Sequence, residues 1–155
     1  MKVLVTGDRE WQDAITVRAE LSKLPPDTII IHGACRGLDN MVGVIAKTEF
    51  HLEVRPYPAK WSEYGRAAGV IRNQQMLDEE HRTDEPITLC LGFHNSISTS
   101  KGTRDMMARA EKLGINTRLV TSTKHRLAPG LGSPVCKHCR KPMSEWRAEE
   151  DCLKR

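Results

Sequence analysis

Short apolar runs alternate along this chain with segments whose apolar residues recur every three or four positions, and that alternation leaves few folds open. Residues 2–6 (KVLVT) read as a strand broken by Gly7. Ala14, Val17, Leu21 and Leu24 then repeat at helical spacing until Pro25-Pro26 stops them. Residues 28–32 form the next strand, and Leu38, Met41, Val42 and Ile45 mark one face of a second helix. A third strand at 52–57 is closed by Pro56 and Pro58, and a less regular helix runs from Ala67 to about Glu80. A strand at 86–91, a helical face of Thr103, Met106, Met107, Ala110 and Leu113 ended by Gly114, and a strand at 115–120 complete the series. Strands that alternate with helices in this way pair in parallel and carry helices on both faces. The expected fold is therefore α/β: a Rossmann-like, doubly wound, mainly parallel sheet of about five strands.

After Val120 the texture changes. Residues 122–134 are rich in Gly, Pro, Ser and Thr without apolar periodicity, so a domain at 1–121 is expected to end in a linker. A small Cys-containing tail follows at 135–155. The charge divides the same way: residues 1–123 hold 16 Lys+Arg against 16 Asp+Glu, whereas residues 124–155 hold 8 against 4 and carry the whole net +4. A basic tail either assists nucleic-acid binding or is simply solvated. No apolar run approaches the ~20 residues of a membrane span. The N-terminal apolar run passes into TGDREW without a small-residue cleavage site, so it reads as a strand and not a leader. Five cysteines, unevenly placed, argue against a disulfide scaffold and for a reducing, cytoplasmic setting.

Ligands of open α/β sheets gather outside the carboxyl ends of the strands. The first such corner holds Gly7, Asp8 and Arg9. The second reads HGACRGLD: Gly33 lets the chain turn off the strand, and Gly37 lets backbone approach a ligand or a neighbouring helix. A helix beginning near Leu38 points its free N–H groups back at this corner, and Arg36 adds a positive charge. Asp39 either caps that helix or receives a ligand hydroxyl, and His32 reads as a strand-end residue satisfied by backbone. The third corner offers the hydroxyls of Ser98, Thr99 and Ser100, then Lys101-Gly102-Thr103 leads into a helix that Ser100 or Thr103 caps. Its composition suits a phosphate, although neither the P-loop nor the G-x-G-x-x-G spacing is present. On the helix of WSEYGRAAGVIRNQQM, Arg66, Arg72 and Asn73 are candidates, because a guanidinium fork matches phosphate geometry. Solvated surface arginines are the alternative. Trp61 and Tyr64 either stack on a base or pack under a loop.

In order, VTGDREW, HGACRGLD, W…YGRAAGVIRNQQM and KGTRDMMARAEKLGI resemble the SLOG superfamily over about residues 1–120, in particular its YspA/YpsA-like branch of bacterial and phage proteins. The resemblance implies a Rossmann-like domain for nucleotides or nucleotide-derived ligands, often dimeric. Its relatives include the LOG phosphoribohydrolases, the DNA-processing protein DprA and sensors of phage-defence systems. It also implies that the 7–9 turn, the 33–39 turn, Arg72-Asn73 and Gly102-Thr103 line the pocket. The chain departs from the family pattern at Asp8, where a serine is usual, at Ala34-Cys35, where a glycine and an alanine are usual, and at Ser98–Lys101, where a glycine pair is usual. The glutamate that LOG enzymes place three residues after the Gly-Thr threonine is Met106 here, whereas their R-x-x-x-M survives as Arg72…Met76.

The first expectation is a module that binds a nucleotide-like small molecule, as a sensor or sequestering protein. The alternative is an N-glycosidase or phosphoribohydrolase acting on a nucleoside monophosphate. Asp39, Glu63 and Asp105 are its candidate carboxylates, and no catalytic residue is assigned. Nucleic-acid binding through a DprA-like surface or the basic tail is less favoured, because the core is electrically balanced. In the tail, Cys136-x-x-Cys139 with Cys152 and His125 makes a three-cysteine, one-histidine set for structural zinc, to be weighed against a helical tail with idle thiols.

Overall fold

The structure, a computed structural model, describes residues 1–123. It divides after Thr121, and the unit Met1–Thr121 contains all the elements that follow. These are β1 (Lys2–Gly7), α1 (Ala14–Leu21), β2 (Ile29–His32), α2 (Leu38–Thr48), β3 (Glu53–Pro56), α3 (Trp61–Tyr64), α4 (Ala68–Glu80), β4 (Ile87–Phe93), α5 (Lys101–Lys112) and β5 (Asn116–Val120). The five strands form one sheet in the order β3-β2-β1-β4-β5, and every adjacent pair is parallel. The expected Rossmann-like α/β architecture is present.

Side chains alternate across a strand, so β1 and β2 divide their apolar residues between two cores. Val3, Val5 and Ile30 join Val17 and Leu21 of α1 and Val42 and Ile45 of α2 on one face. Leu4, Ile31 and Cys90 join Met76 and Leu77 of α4 and Met106 and Ala110 of α5 on the other. Both faces of the central strands are covered, which explains their unbroken apolar runs. Under the β1–α1 corner, Trp11 meets Phe93 edge to face with ring centres 5.5 Å apart. Asp13 caps α1 by accepting the Thr16 N–H at 3.1 Å.

Several boundaries differ from the sequence reading. α1 stops at Leu21, because Lys23 and Leu24 donate to Glu20 and Leu21 and tighten the last turn short of the prolines. β4 runs on to Phe93 because β1 pairs with it through Gly7. α5 starts at Lys101, one residue after its cap Ser100. α3 and the 3₁₀ turn Gly65–Ala67 are too short to show a period and were not foreseen. α4 is less regular because its end is held by charge: the buried Glu80 pairs with Lys2 at 2.9 Å and accepts from Arg55 at 2.9 Å and Tyr57 at 2.8 Å.

Candidate functional site

The strand order reverses at β1, with β2 and β3 on one side and β4 and β5 on the other. Outside the carboxyl ends of β1 and β4 lies a cleft of about 360 Å³, at the crevice such a reversal creates. Its floor and one wall come from Gly7, Asp8 and Arg9 after β1 and from Cys35 and Asp39 at the start of α2. The opposite wall is the first turn of α5, from Ser100 to Thr103, and Arg72 and Asn73 of α4 close the back.

Backbone contacts lock the corners together. Asp8 N–H donates to Phe93 O at 3.0 Å, and Leu38 N–H donates to Asp8 O at 3.1 Å. Gly37 has φ 76°, and a Cβ there would lie 2.1 Å from the Arg9 carbonyl oxygen. Its close approach is to the neighbouring corner, not to the cleft. Gly33 faces the Arg72 guanidinium, the movable end of a long side chain, where Gly37 faces backbone. Gly102 differs: a Cβ there would meet nothing within 4 Å. The Ser100 hydroxyl accepts the Thr103 N–H at 3.1 Å. The preceding first-turn amides, those of Lys101 and Gly102, belong to the group that a helix leaves without carbonyl partners.

Arg72 is a clasp. Its guanidinium donates to the carbonyl of Gly33, to the carbonyl of Tyr57 at 3.2 Å and to Asn73 Oδ1 at 3.1 Å, with both Nη atoms 3.8 Å from Cys35 Sγ. It thereby ties α4 to the ends of β2 and β3 and offers the cleft its charge more than its hydrogen bonds. Asn73 passes the connection on, donating to Asp105 Oδ2 at 3.0 Å. His32 accepts the Ala34 N–H on Nδ1 at 3.0 Å, as a backbone-satisfied strand end. Burial, seconded by the charge of Arg72, pushes its pKa down to about 4, so it is neutral at pH 7.

Asp39 is 6% exposed and accepts the Cys35 N–H at 3.3 Å. Burial pushes its carboxyl up to about 6, against the pull of that hydrogen bond and of Arg72. An acid whose folded pKa is raised binds extra proton in the native state, so this position loses stability as pH climbs from about 4 to 6. Asp39→Asn keeps an acceptor for Cys35 N–H without the buried charge. In urea melts it is expected to match the parent near pH 4 and to exceed it by on the order of 2–3 kcal/mol at pH 7. An equal or lower stability at pH 7 would show that the carboxylate is not held at a disadvantage.

Asp8 does not pair with Arg9. Its Oδ1 accepts the Glu10 N–H at 2.9 Å, and its Oδ2 lies 4.0 Å from His94 Nε2. His94 Nδ1 accepts the Ser96 N–H at 2.9 Å, which assigns the ring proton to Nε2, facing Asp8. His94 and Thr6 line the cleft but were missed from sequence. With the fourth strand read to residue 91, His94 lay inside a loop; with β4 ending at Phe93 it stands at the strand's carboxyl edge.

Other candidates stand elsewhere. Arg36, 76% exposed, pairs with Glu10 at 2.6 Å on an adjoining groove. Arg66 is exposed on the 3₁₀ turn and does not line the cleft, because it precedes the buried face of α4 that carries Arg72. Glu63 pairs with Lys60 at 3.6 Å on exposed α3, and Asp105 is engaged by Asn73 and by Arg109 at 2.9 Å. Among the three candidate carboxylates only Asp39 lines the cleft. Met106, at the position of the LOG glutamate, is fully buried in the core. His125, Cys136, Cys139 and Cys152 lie outside the described residues. Among the described residues no cluster of three His, Cys, Asp or Glu is placed to hold a metal, and no helix is long and apolar enough to cross a membrane.

A doubly wound parallel sheet with a polar cleft at its switch point defines a Rossmann-like α/β protein. More particularly, the chain belongs to the YspA, cpYpsA-related SLOG family (YAcAr), whose model matches residues 1–64. It is 34% identical over 122 residues to the Gene 61 protein of Mycobacterium phage D29, an alignment covering 74% of this chain and 91% of that protein. No solved structure matches the chain.

Proposed function

We propose that the cleft binds the phosphoryl group of a nucleotide or nucleotide-derived ligand, and that the protein works as a sensor or sequestering module. The observation that carries this reading is the first turn of α5. Its residues line a cleft shared with Arg9, Arg72 and Lys101, and a helix N-terminus beside cations favours an anion. Gly102 supports it further. No packing contact forbids a side chain there, whereas a ligand drawn up against the backbone would.

Gly102→Ala separates the two roles. Alanine is the better helix former by about 0.5–1 kcal/mol, so the variant is expected to melt at or slightly above the parent. Its affinity for nucleoside monophosphates, read by calorimetry, is expected to fall at least tenfold. Lys101→Ala is expected to weaken the same ligands with little change in melting. Saturating ligand at 100 times its Kd stabilises a protein by about 2.7 kcal/mol. A panel of nucleoside phosphates and ribose 5-phosphate that leaves the melting temperature flat would remove the reading.

Asp39 favours one second reading. A buried carboxyl with a pKa pushed to about 6 beside the cleft has the protonation behaviour of a general acid or base. Hydrolysis of an N-glycosidic bond is then the alternative. Chromatography of nucleoside monophosphates incubated with concentrated protein tests it: release of free base that Asp39→Asn abolishes supports it, and intact nucleotide throughout removes it.

A further inference from the structure

Beside the phosphoryl cleft lies a second hollow of about 490 Å³, between the β2–α2 corner and the β3–α3 connection. The two share Arg9 and Cys35, so they adjoin at those two side chains. The far wall of the second is Pro58, Ala59 and Trp61. Trp61 is 49% exposed, whereas Trp11 is 2% exposed beneath the β1–α1 corner.

The indole lies between Gly69 and Arg9. One edge rests over Gly69, where a Cβ would lie 3.5 Å from Cη2. On a face of the ring stands the Arg9 guanidinium, with its central carbon 5.9 Å from the ring centre. Atoms in contact approach to about 3.5–4 Å, so that face is loosely covered, by a side chain that also lines the phosphoryl cleft. A planar group suits this setting in place of the guanidinium, because a base between ring and cation would need two contacts of about 3.5 Å, more than the 5.9 Å between them. With Arg9 swung aside, the site offers a wide aromatic face, a cation that flanks it, and an anion site next door. Base–aromatic stacking has these requirements and tolerates any base, because every base has a π-face.

We propose that Trp61 is the stacking platform for the heterocyclic base of a nucleoside phosphate whose phosphoryl group lies at the first turn of α5. This rests on the phosphoryl-binding reading above and adds the base to it. The ribose then passes Arg9 and Cys35, the residues common to both hollows, and Arg9 flanks the base or turns to the phosphoryl group.

Calorimetric titration of the full chain with ribose 5-phosphate, AMP and CMP tests it. AMP and CMP are expected to bind roughly 10- to 100-fold more tightly than ribose 5-phosphate, as stacking of one base provides. They are also expected to quench tryptophan fluorescence, which ribose 5-phosphate leaves unchanged. Trp61→Ala should bring the nucleotides down to the affinity of ribose 5-phosphate without altering the latter, and Trp61→Phe should recover most of the gap. Trp61 is half exposed, so both variants should keep the parent's melting temperature. Equal affinities for ribose 5-phosphate and AMP in the parent, or a gap that survives Trp61→Ala, overturns the stacking site while leaving phosphoryl binding intact. Binding of none of the three probes overturns both.

Discussion

Arg72→Ala is expected to lower stability by about 3–5 kcal/mol, because several hydrogen bonds from a buried charged donor are lost at about 1–3 kcal/mol each, and to lower the melting temperature by roughly 10 °C or more. Arg72 is 9% exposed, and its guanidinium supplies donors to the carbonyls of Gly33 and Tyr57 and to Asn73 Oδ1. Truncation leaves those acceptors buried without a partner and removes the strut between α4 and the ends of β2 and β3. The electrostatics of the cleft move with it. Arg72 pulls the Asp39 carboxyl down and pushes the His32 imidazole down, so both groups should titrate higher in the variant. Arg72→Lys retains the charge but has no fork to span two carbonyls, so it should recover a minor part of the stability. Thermal and urea melts check the loss, and histidine NMR titration checks the shift. A melting temperature within a degree or two of the parent would mean that the apolar face of α4 and the Glu80 network hold the helix without the Arg72 clasp.

The sheet and its helices were legible in the sequence because burial on two faces writes itself as continuous apolar strands and as a three-to-four residue repeat. The corners were legible for a related reason: a parallel sheet puts every β–α turn on one rim, so Gly7–Arg9, Asp39, Arg72-Asn73 and Ser100–Thr103 meet in one cleft, although Gly33, Arg36, Gly37 and Arg66 do not line it. The division of labour among them was not legible. Arg66 and Arg72 read alike until the structure shows which one lies on the buried face of α4. Arg72 read as a phosphate fork because the carbonyls it serves, those of Gly33 and Tyr57, lie 39 and 15 residues away and carry no mark in the sequence. The glycines pose the same difficulty. Gly33 and Gly37 make room for protein atoms while Gly102 borders open space, and no local pattern tells a close approach by protein from one by a ligand.

Gly37→Ala should reveal how firmly the two corners are fixed to each other. Two penalties apply at this residue. A φ of 76° with ψ −122° lies at positive φ outside the left-handed helical well, in backbone space nearly confined to glycine, where a Cβ costs about 1–3 kcal/mol. The Cβ would also fall 2.1 Å from the Arg9 carbonyl oxygen and 2.3 Å from its carbon. These are backbone atoms with no rotamer to yield, and forced repacking of that kind adds about 1–3 kcal/mol. The expected loss is about 3–5 kcal/mol in a urea melt. Gly114→Ala is the control for positive φ without a clash, because Gly114 has φ 74° but an added Cβ there meets nothing within 4 Å. That variant should lose only about 1–2 kcal/mol, so the excess loss at Gly37 reports its ψ of −122° together with the contact between the corners. Relief of the clash displaces Arg9, which lines both hollows. Gly37→Ala should therefore also weaken any phosphorylated ligand, whereas Gly114→Ala should not. Equal losses for the two variants would show that the β1 and β2 corners move independently, and the cleft would then have no fixed floor on which to hold an anion.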